Sequence, residues 1–196
     1  DNDISSLGGM SMADALRVNQ SLLVLSLANN SLGAKGAKAI ATTLEVSHRL
    51  RVLDLGRNSI GQAGGTAMAN CLRSNSSLTA LGMVWNTVGE TGAQALSEAL
   101  RHNNTLVALG LGWNSIGNVG AQHLGQSLAA NGTLESLGLN NNDIHDSGAR
   151  SLVKGLEEGT GITSHVGVKP RPKGSKKCKL NELDLQGNPV SSILLN

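Results

Sequence analysis

A single beat organises this chain. The segments LLVLSLANN, LRVLDLGRN, LTALGMVWN, LVALGLGWN and LESLGLNNN begin at Leu22, Leu50, Leu78, Leu106 and Leu134, each 28 residues after the last. A sixth copy, LNELDLQGN, begins at Leu180 after 46 residues, one period plus 18. Five registers in phase restrict the fold to an array whose units repeat one local structure and touch chiefly their neighbours. Two periodicities sit inside each unit. Apolar residues alternate at Leu53 and Leu55, and again at Leu109 and Leu111, which predicts a short strand. About ten residues later the spacing becomes helical: Ala93, Leu96 and Leu100 share one face, as do Ala121, Leu124 and Leu128. Glycine is expected to open each helix at Gly36, Gly64, Gly92, Gly120 and Gly148, where a missing side chain lets neighbouring helices approach. Strand, turn, helix and return in one period make a βα unit that must stack to bury its apolar edge.

Composition agrees with thin, identical layers. The chain holds 25 glycines and two tryptophans but no phenylalanine or tyrosine, so its core volume comes from leucine and alanine rather than from rings. A polar column runs through the array at Asn2, Asn30, Asn58, Asn86, Asn114, Asn142 and Asn188. A turn buried between layers needs partners for its backbone groups, and an amide side chain both donates and accepts. Asn30, Asn58, Asn86, Asn114, Asn142 and Asn188 are therefore read as structural.

The pattern L-x-x-L-x-L-x-x-N resembles the leucine-rich-repeat family. The 28-residue period with a full helix is similar to its ribonuclease-inhibitor-like branch, which includes the C-terminal regions of NOD-like receptors and the Ran GTPase-activating protein. The resemblance implies an α/β fold, a right-handed solenoid or horseshoe of about seven units with a parallel concave sheet and outer helices. It divides the chain into an array over 1–162, a basic loop insertion over 163–179 and a last partial repeat over 180–196. It also implies an intracellular protein that holds a protein partner on its concave face, with innate immunity as a setting.

Parallel sheets ordinarily have both faces covered, but in a horseshoe the helices cover only the outer one. The open face would carry Val24 and Ser26, Val52 and Asp54, Ala80 and Gly82, Ala108 and Gly110, Ser136 and Gly138, Glu182 and Asp184. Its middle is almost bare at Gly82 and Gly110, with acids such as Asp54 and Asp184 towards the two ends. Just past the strands lies the column Asn29, Arg57, Trp85, Trp113, Asn141 and Gly187. Tryptophan and arginine dominate binding hot spots, and strands about 4.8 Å apart bring the two rings together. Trp85, Trp113, Arg57 and Asn141, with Asp54, Gly82, Gly110 and Asp184, are the candidate partner-binding residues. A second reading stands beside this one: the tryptophans cover the smooth floor and protect the turns.

Other signals are weaker. Lys169, Arg171, Lys173, Lys176, Lys177 and Lys179 form a basic stretch with Pro170, Pro172 and Gly174, read as a solvated loop, with nuclear import or an acidic partner as alternatives. Cys178, among those lysines, is a candidate reactive thiol. Outside that stretch ten bases face fourteen acids, which does not describe a nucleic-acid-binding surface. The five histidines show no metal-ligand spacing, and no nucleophile elbow or phosphate-binding loop is present. Asp143 and Asp146 read as solvated turn acids rather than calcium ligands. No catalytic residue, metal or cofactor is expected. N-x-[ST] occurs at Asn19, Asn29, Asn75, Asn103 and Asn131, four of them at one repeat position, and is discounted as a glycosylation signal. No apolar run reaches the roughly 20 residues of a membrane span. Two cysteines without framework spacing favour a reducing, cytoplasmic setting. Neither end carries an evident polar cap, so a fragment is expected, or ends that meet another domain or subunit. The leading functional reading is a non-enzymatic recognition scaffold. The alternative is a GTPase-activating regulator resembling the Ran-specific one, which this chain departs from in lacking an acidic C-terminal tail.

Overall fold

The computed structural model describes residues 2–160 and 177–191. They alternate helix and strand throughout: α1 (Ser6–Val18), β1 (Val24–Ser26), α2 (Gly33–Leu44), β2 (Val52–Asp54), α3 (Gly61–Ser74), β3 (Ala80–Gly82), α4 (Gly89–His102), β4 (Ala108–Gly110), α5 (Gly117–Leu128), β5 (Ser136–Gly138), α6 (Asp146–Thr160) and β6 (Glu182–Asp184). The six strands form one parallel sheet in chain order, and each helix packs on the next. The architecture is an α/β solenoid of stacked units.

Register follows the sequence beat. Leu25, Leu53, Leu81, Leu109, Leu137 and Leu183 pair across the sheet in one row. Because side chains alternate along a strand, this row points to one face, where Leu53, Leu81, Leu109 and Leu137 are buried among helix residues such as Ile40, Leu72, Leu96 and Leu124. The flanking strand residues stay half-buried or exposed on the other face.

Three-residue strands are too short to hold register alone, and the ladder continues past them. Leu27 N–H donates to Asp54 carbonyl, Leu55 to Gly82, Met83 to Gly110, Leu111 to Gly138 and Leu139 to Asp184, all at 2.8 Å. Helices α2 to α5 begin three residues before the glycines expected to open them, and α6 begins two before Gly148. Gly33, Gly61, Gly89 and Gly117 occupy the left-handed region. Their N–H groups donate to the backbone carbonyls of Asn58, Asn86, Asn114 and Asn142 in the following unit, at 2.8–2.9 Å. Each of these four helix starts is thus fixed by its neighbour rather than by a side-chain cap, satisfying a donor that a helix leaves orphaned. The glycines one turn later still mark close approach: a Cβ at Gly64 would lie 3.3 Å from that of Ala37 on the preceding helix. Among the described residues, no helix is long and apolar enough to cross a membrane.

Candidate functional site

The column just past the strands is the most exposed aromatic surface of the array. Trp85 and Trp113 stack with ring centroids 4.0 Å apart and planes 10° from parallel. The Arg57 guanidinium lies 5.3 Å from the Trp85 ring centre, a cation–π distance. Both indoles remain about two-fifths exposed, 43% and 41%. Asn141 is half-buried on the far side of the pair and Arg57 is exposed. The backbone beneath this surface was not anticipated from sequence. Asn29, Arg57, Trp85, Trp113 and Asn141 all adopt left-handed φ values between 53° and 61°, and Gly187 one of 71°. Such a conformation is disfavoured for a bulky L-residue. It is held here because the N–H groups of Arg57, Trp85, Trp113 and Asn141 continue the ladder, donating to Val84, Gly112, Asn140 and Gln186 carbonyls at 2.8–2.9 Å.

Beside the stack lies a floor of small residues. Gly82, Gly110 and Gly138 pair in register and are bracketed by Asp54 and Asp184. Ala80, Ala108 and Ser136 form the next row. The fold does not require all three glycines. A Cβ at Gly110 or Gly138 would meet nothing closer than 3.6 or 3.7 Å, ordinary van der Waals contact, whereas one at Gly82 would lie 3.0 Å from Asp54 Oδ1. Asp54 and Asp184 are fixed alike: Oδ1 of each accepts an N–H from two residues on, Gly56 or Gln186, at 2.9 Å.

The asparagine column lies elsewhere, beneath the turns. Asn58, Asn86, Asn114 and Asn142 are fully buried. Each amide NH₂ donates to a carbonyl of the preceding unit, Leu27, Leu55, Met83 and Leu111 respectively, at 2.8 Å. Asn30 sits half-buried at one end, where its Oδ1 accepts from Ile4 N–H at 3.0 Å. Asn188 carries the column across the 46-residue gap, accepting from Asn142 N–H at 2.8 Å. A second amide column was missed. Asn75, Asn103 and Asn131 are buried and donate to the carbonyls of Leu44, Leu72 and Leu100 at 2.7 Å. Their Oδ1 atoms accept the N–H groups two and three residues on. The signal was the N-x-[ST] spacing itself: a residue recurring every 28 positions before the strand leucine belongs to the stack.

Of the remaining candidates, Asp146 accepts Ser191 N–H at 2.7 Å, and that bond holds its carboxyl below the usual carboxylate value. Asp143 lies 3.3 Å from His145 Nε2. Among the described residues no cluster of His, Cys, Asp and Glu could hold a metal. Cys71 is buried, and burial foremost pushes its thiol up to about 12. Cys178 packs half-buried against the core, its N–H donating to Gly159 carbonyl at 2.8 Å. Lys169, Arg171, Lys173 and Lys176 lie outside the described residues.

Comparison with known proteins agrees with this architecture. A family model described as Leucine Rich repeat matches residues 18–41, 43–69, 74–97, 102–125 and 130–153, together more than half of the chain. A solved structure of leiomodin-1 actin-binding site 2 is similar with a TM-score of 0.59 and 18% identity, over 76% of this chain and 88% of that one. The tropomodulin C-terminal domain of Caenorhabditis elegans gives 0.64 and 14%, over 76% and 92%. No individual curated protein matches at a significant level. At these identities the solved structures speak to fold alone.

Proposed function

The chain belongs to the leucine-rich-repeat family, and from that premise we propose that it is a recognition module whose open sheet face holds a protein partner around Trp85 and Trp113. One observation carries the reading. Two large aromatic rings are kept exposed and stacked on left-handed backbone, where a smaller residue would be easier to accommodate. Rigid, half-exposed tryptophans beside an arginine have the composition of interface hot spots, where truncation costs about 2 kcal/mol or more. The bare floor at Gly110 and Gly138 supports the same reading, since the packing around those glycines leaves room for a Cβ that the sequence does not supply.

In this reading the chain is not an enzyme, and it should leave the hydrolysis rate of candidate GTPases unchanged. Because the similar region of leiomodin-1 is an actin-binding site, actin is the first partner to try. The division at residues 162 and 179 enters as part of the proposal.

The test compares the native chain with W85A/W113A, both checked for fold by circular dichroism and melting temperature. Partner capture should fall by tenfold or more in the double variant while the fold persists. Unchanged capture by a folded double variant would leave the tryptophans as covers for the turns and remove the proposal.

A further inference from the structure

Across the sheet the last position of each strand reads Ser26, Asp54, Gly82, Gly110, Gly138, Asp184, each in register with the next. Two carboxylates bracket three glycines. Strands about 4.8 Å apart put the two aspartates roughly 19 Å from each other. Their anchoring to the Gly56 and Gln186 N–H groups fixes the direction of each carboxylate. Neither is in an ion pair among the described residues. Glu182, exposed in the adjoining row of β6, adds a third acid at that end. Three residues beyond Gly82 and Gly110, the tryptophan stack walls the middle of this strip.

The backbone of an occupant is constrained as well. β2, β3, β4 and β5 are each paired on both sides, so they offer no edge to an extended peptide. Such a peptide would lay its N–H and C=O groups on alanine and glycine with nothing to pair them, which is costly. A helix arrives with its backbone already satisfied, and a floor without side chains lets its roughly 10 Å cylinder come close.

We propose that the open face takes an amphipathic helix of the partner, lying across the strands with cationic side chains at Asp54 and Asp184 and an apolar stretch between them against the Trp85–Trp113 stack. At 1.5 Å per residue, its two cationic positions stand roughly 11–14 residues apart. This rests on the open face being the recognition surface.

The chain contains two tryptophans and no tyrosine or phenylalanine, so its intrinsic emission reports on this strip alone. The probes are synthetic tryptophan-free alanine–leucine helices of about 18 residues. One carries lysine pairs about 12 residues apart, a second has glutamate at those positions, and a third has the lysine pairs on adjacent turns. The first should shift the emission saturably, more weakly as salt rises; the other two should bind at least about tenfold less tightly. Asp54→Asn and Asp184→Asn retain the Oδ1 acceptor for Gly56 and Gln186 while removing the charge. Each should weaken the first probe by about threefold, and together by about tenfold. No saturable shift with the basic probe, equal binding of the acidic probe, or indifference to both substitutions would overturn the inference. The two proposals fail separately. Partner capture lost in W85A/W113A but normal in D54N/D184N would keep the recognition face and discard the charged helix. Capture unchanged in W85A/W113A would discard the face.

Discussion

Asn86 and Asn114, one unit apart, are joined by a hydrogen bond in which the backbone N–H of Asn86 donates to Asn114 Oδ1 at 3.1 Å. The same oxygen accepts Val88 N–H at 3.0 Å, and the Asn114 NH₂ donates to Met83 carbonyl at 2.8 Å. One side chain therefore closes the turn of the layer before it, and the column repeats the arrangement along the stack. Water cannot substitute, because Asn114 and its neighbours Ile116 and Leu111 are buried.

Asn114→Ala should leave the N–H groups of Asn86 and Val88 without this acceptor, while the Met83 carbonyl keeps the Asn86 NH₂ at 3.0 Å. An unsatisfied buried polar group costs about 1–3 kcal/mol, so a loss of about 3 kcal/mol or more is expected in urea unfolding. Asn30→Ala, at the half-buried end of the same column, should lose about 1 kcal/mol. Equal effects at the two positions would show that burial of the turn does not set the size of the loss.

Strand register was legible because leucine at Leu53, Leu81, Leu109 and Leu137 must face the helices, and a slip by one residue would expose all four. The asparagine column was legible in position because its residue type does not vary over seven units. The starts of α2 to α5 lie three residues ahead of where the sequence pattern puts them. Gly36 and Gly64 carry the visible helix–helix contact, while Gly33 and Gly61 satisfy their N–H groups on the following unit, a long-range bond that leaves no local pattern. The left-handed backbone of the tryptophan column was hidden for a similar reason. Trp85 and Trp113 argue against such a conformation, and only Asn29, Asn141 and Gly187, types that tolerate it, pointed the other way. In the candidate site the juxtaposition of Arg57, Trp85 and Trp113 follows from period alone, whereas stacking and exposure required the structure.

That backbone makes a prediction of unusual sign. Glycine ordinarily destabilises relative to alanine, but at φ near +57° the penalty falls on the residue with a Cβ. Trp113→Gly should be more stable than Trp113→Ala by about 1 kcal/mol in urea unfolding, and Arg57→Gly should exceed Arg57→Ala likewise. Alanine proving the more stable at both sites would mean that the turn relaxes out of the left-handed region when the side chain is lost.

Cys71 links stability to alkaline pH. Its folded thiol is pushed up to about 12 from an ordinary value of 9.0, so the folded state holds a proton that the unfolded state releases. The contribution is complete below about pH 9 and is lost as pH rises through about 12, at up to about 1.4 kcal/mol per pH unit in between. The urea midpoint should fall more steeply between pH 9 and 10.5 in the native chain than in Cys71→Ala. Parallel slopes for the two proteins would rule out Cys71 as the source. In native protein at neutral pH a thiol reagent should modify Cys178, which is half-buried, before Cys71, which is fully enclosed.

Two glycine-to-alanine replacements should part company for reasons visible in the packing. A Cβ at Gly155 would collide with the backbone of Gly125, where α6 packs on α5. Backbone cannot move aside as a side chain can, so Gly155→Ala should force the two helices apart and destabilise by about 2–3 kcal/mol. A Cβ at Gly110 would rest 3.6 Å from Val84 Cγ2 and 3.8 Å from Gly82 Cα, with no steric conflict. Glycine within a strand is entropically unfavourable, so Gly110→Ala should stabilise by about 0.5–1 kcal/mol. Residue 110 therefore separates folding from recognition: a larger Gly110→Leu should remain folded yet block an occupant from reaching the floor beside Trp113. If Gly110→Leu is folded and captures partner at native strength, the occupant does not approach the sheet there. If Gly110→Ala is itself destabilised, the glycine is needed by the strand and its bareness is no guide to what binds.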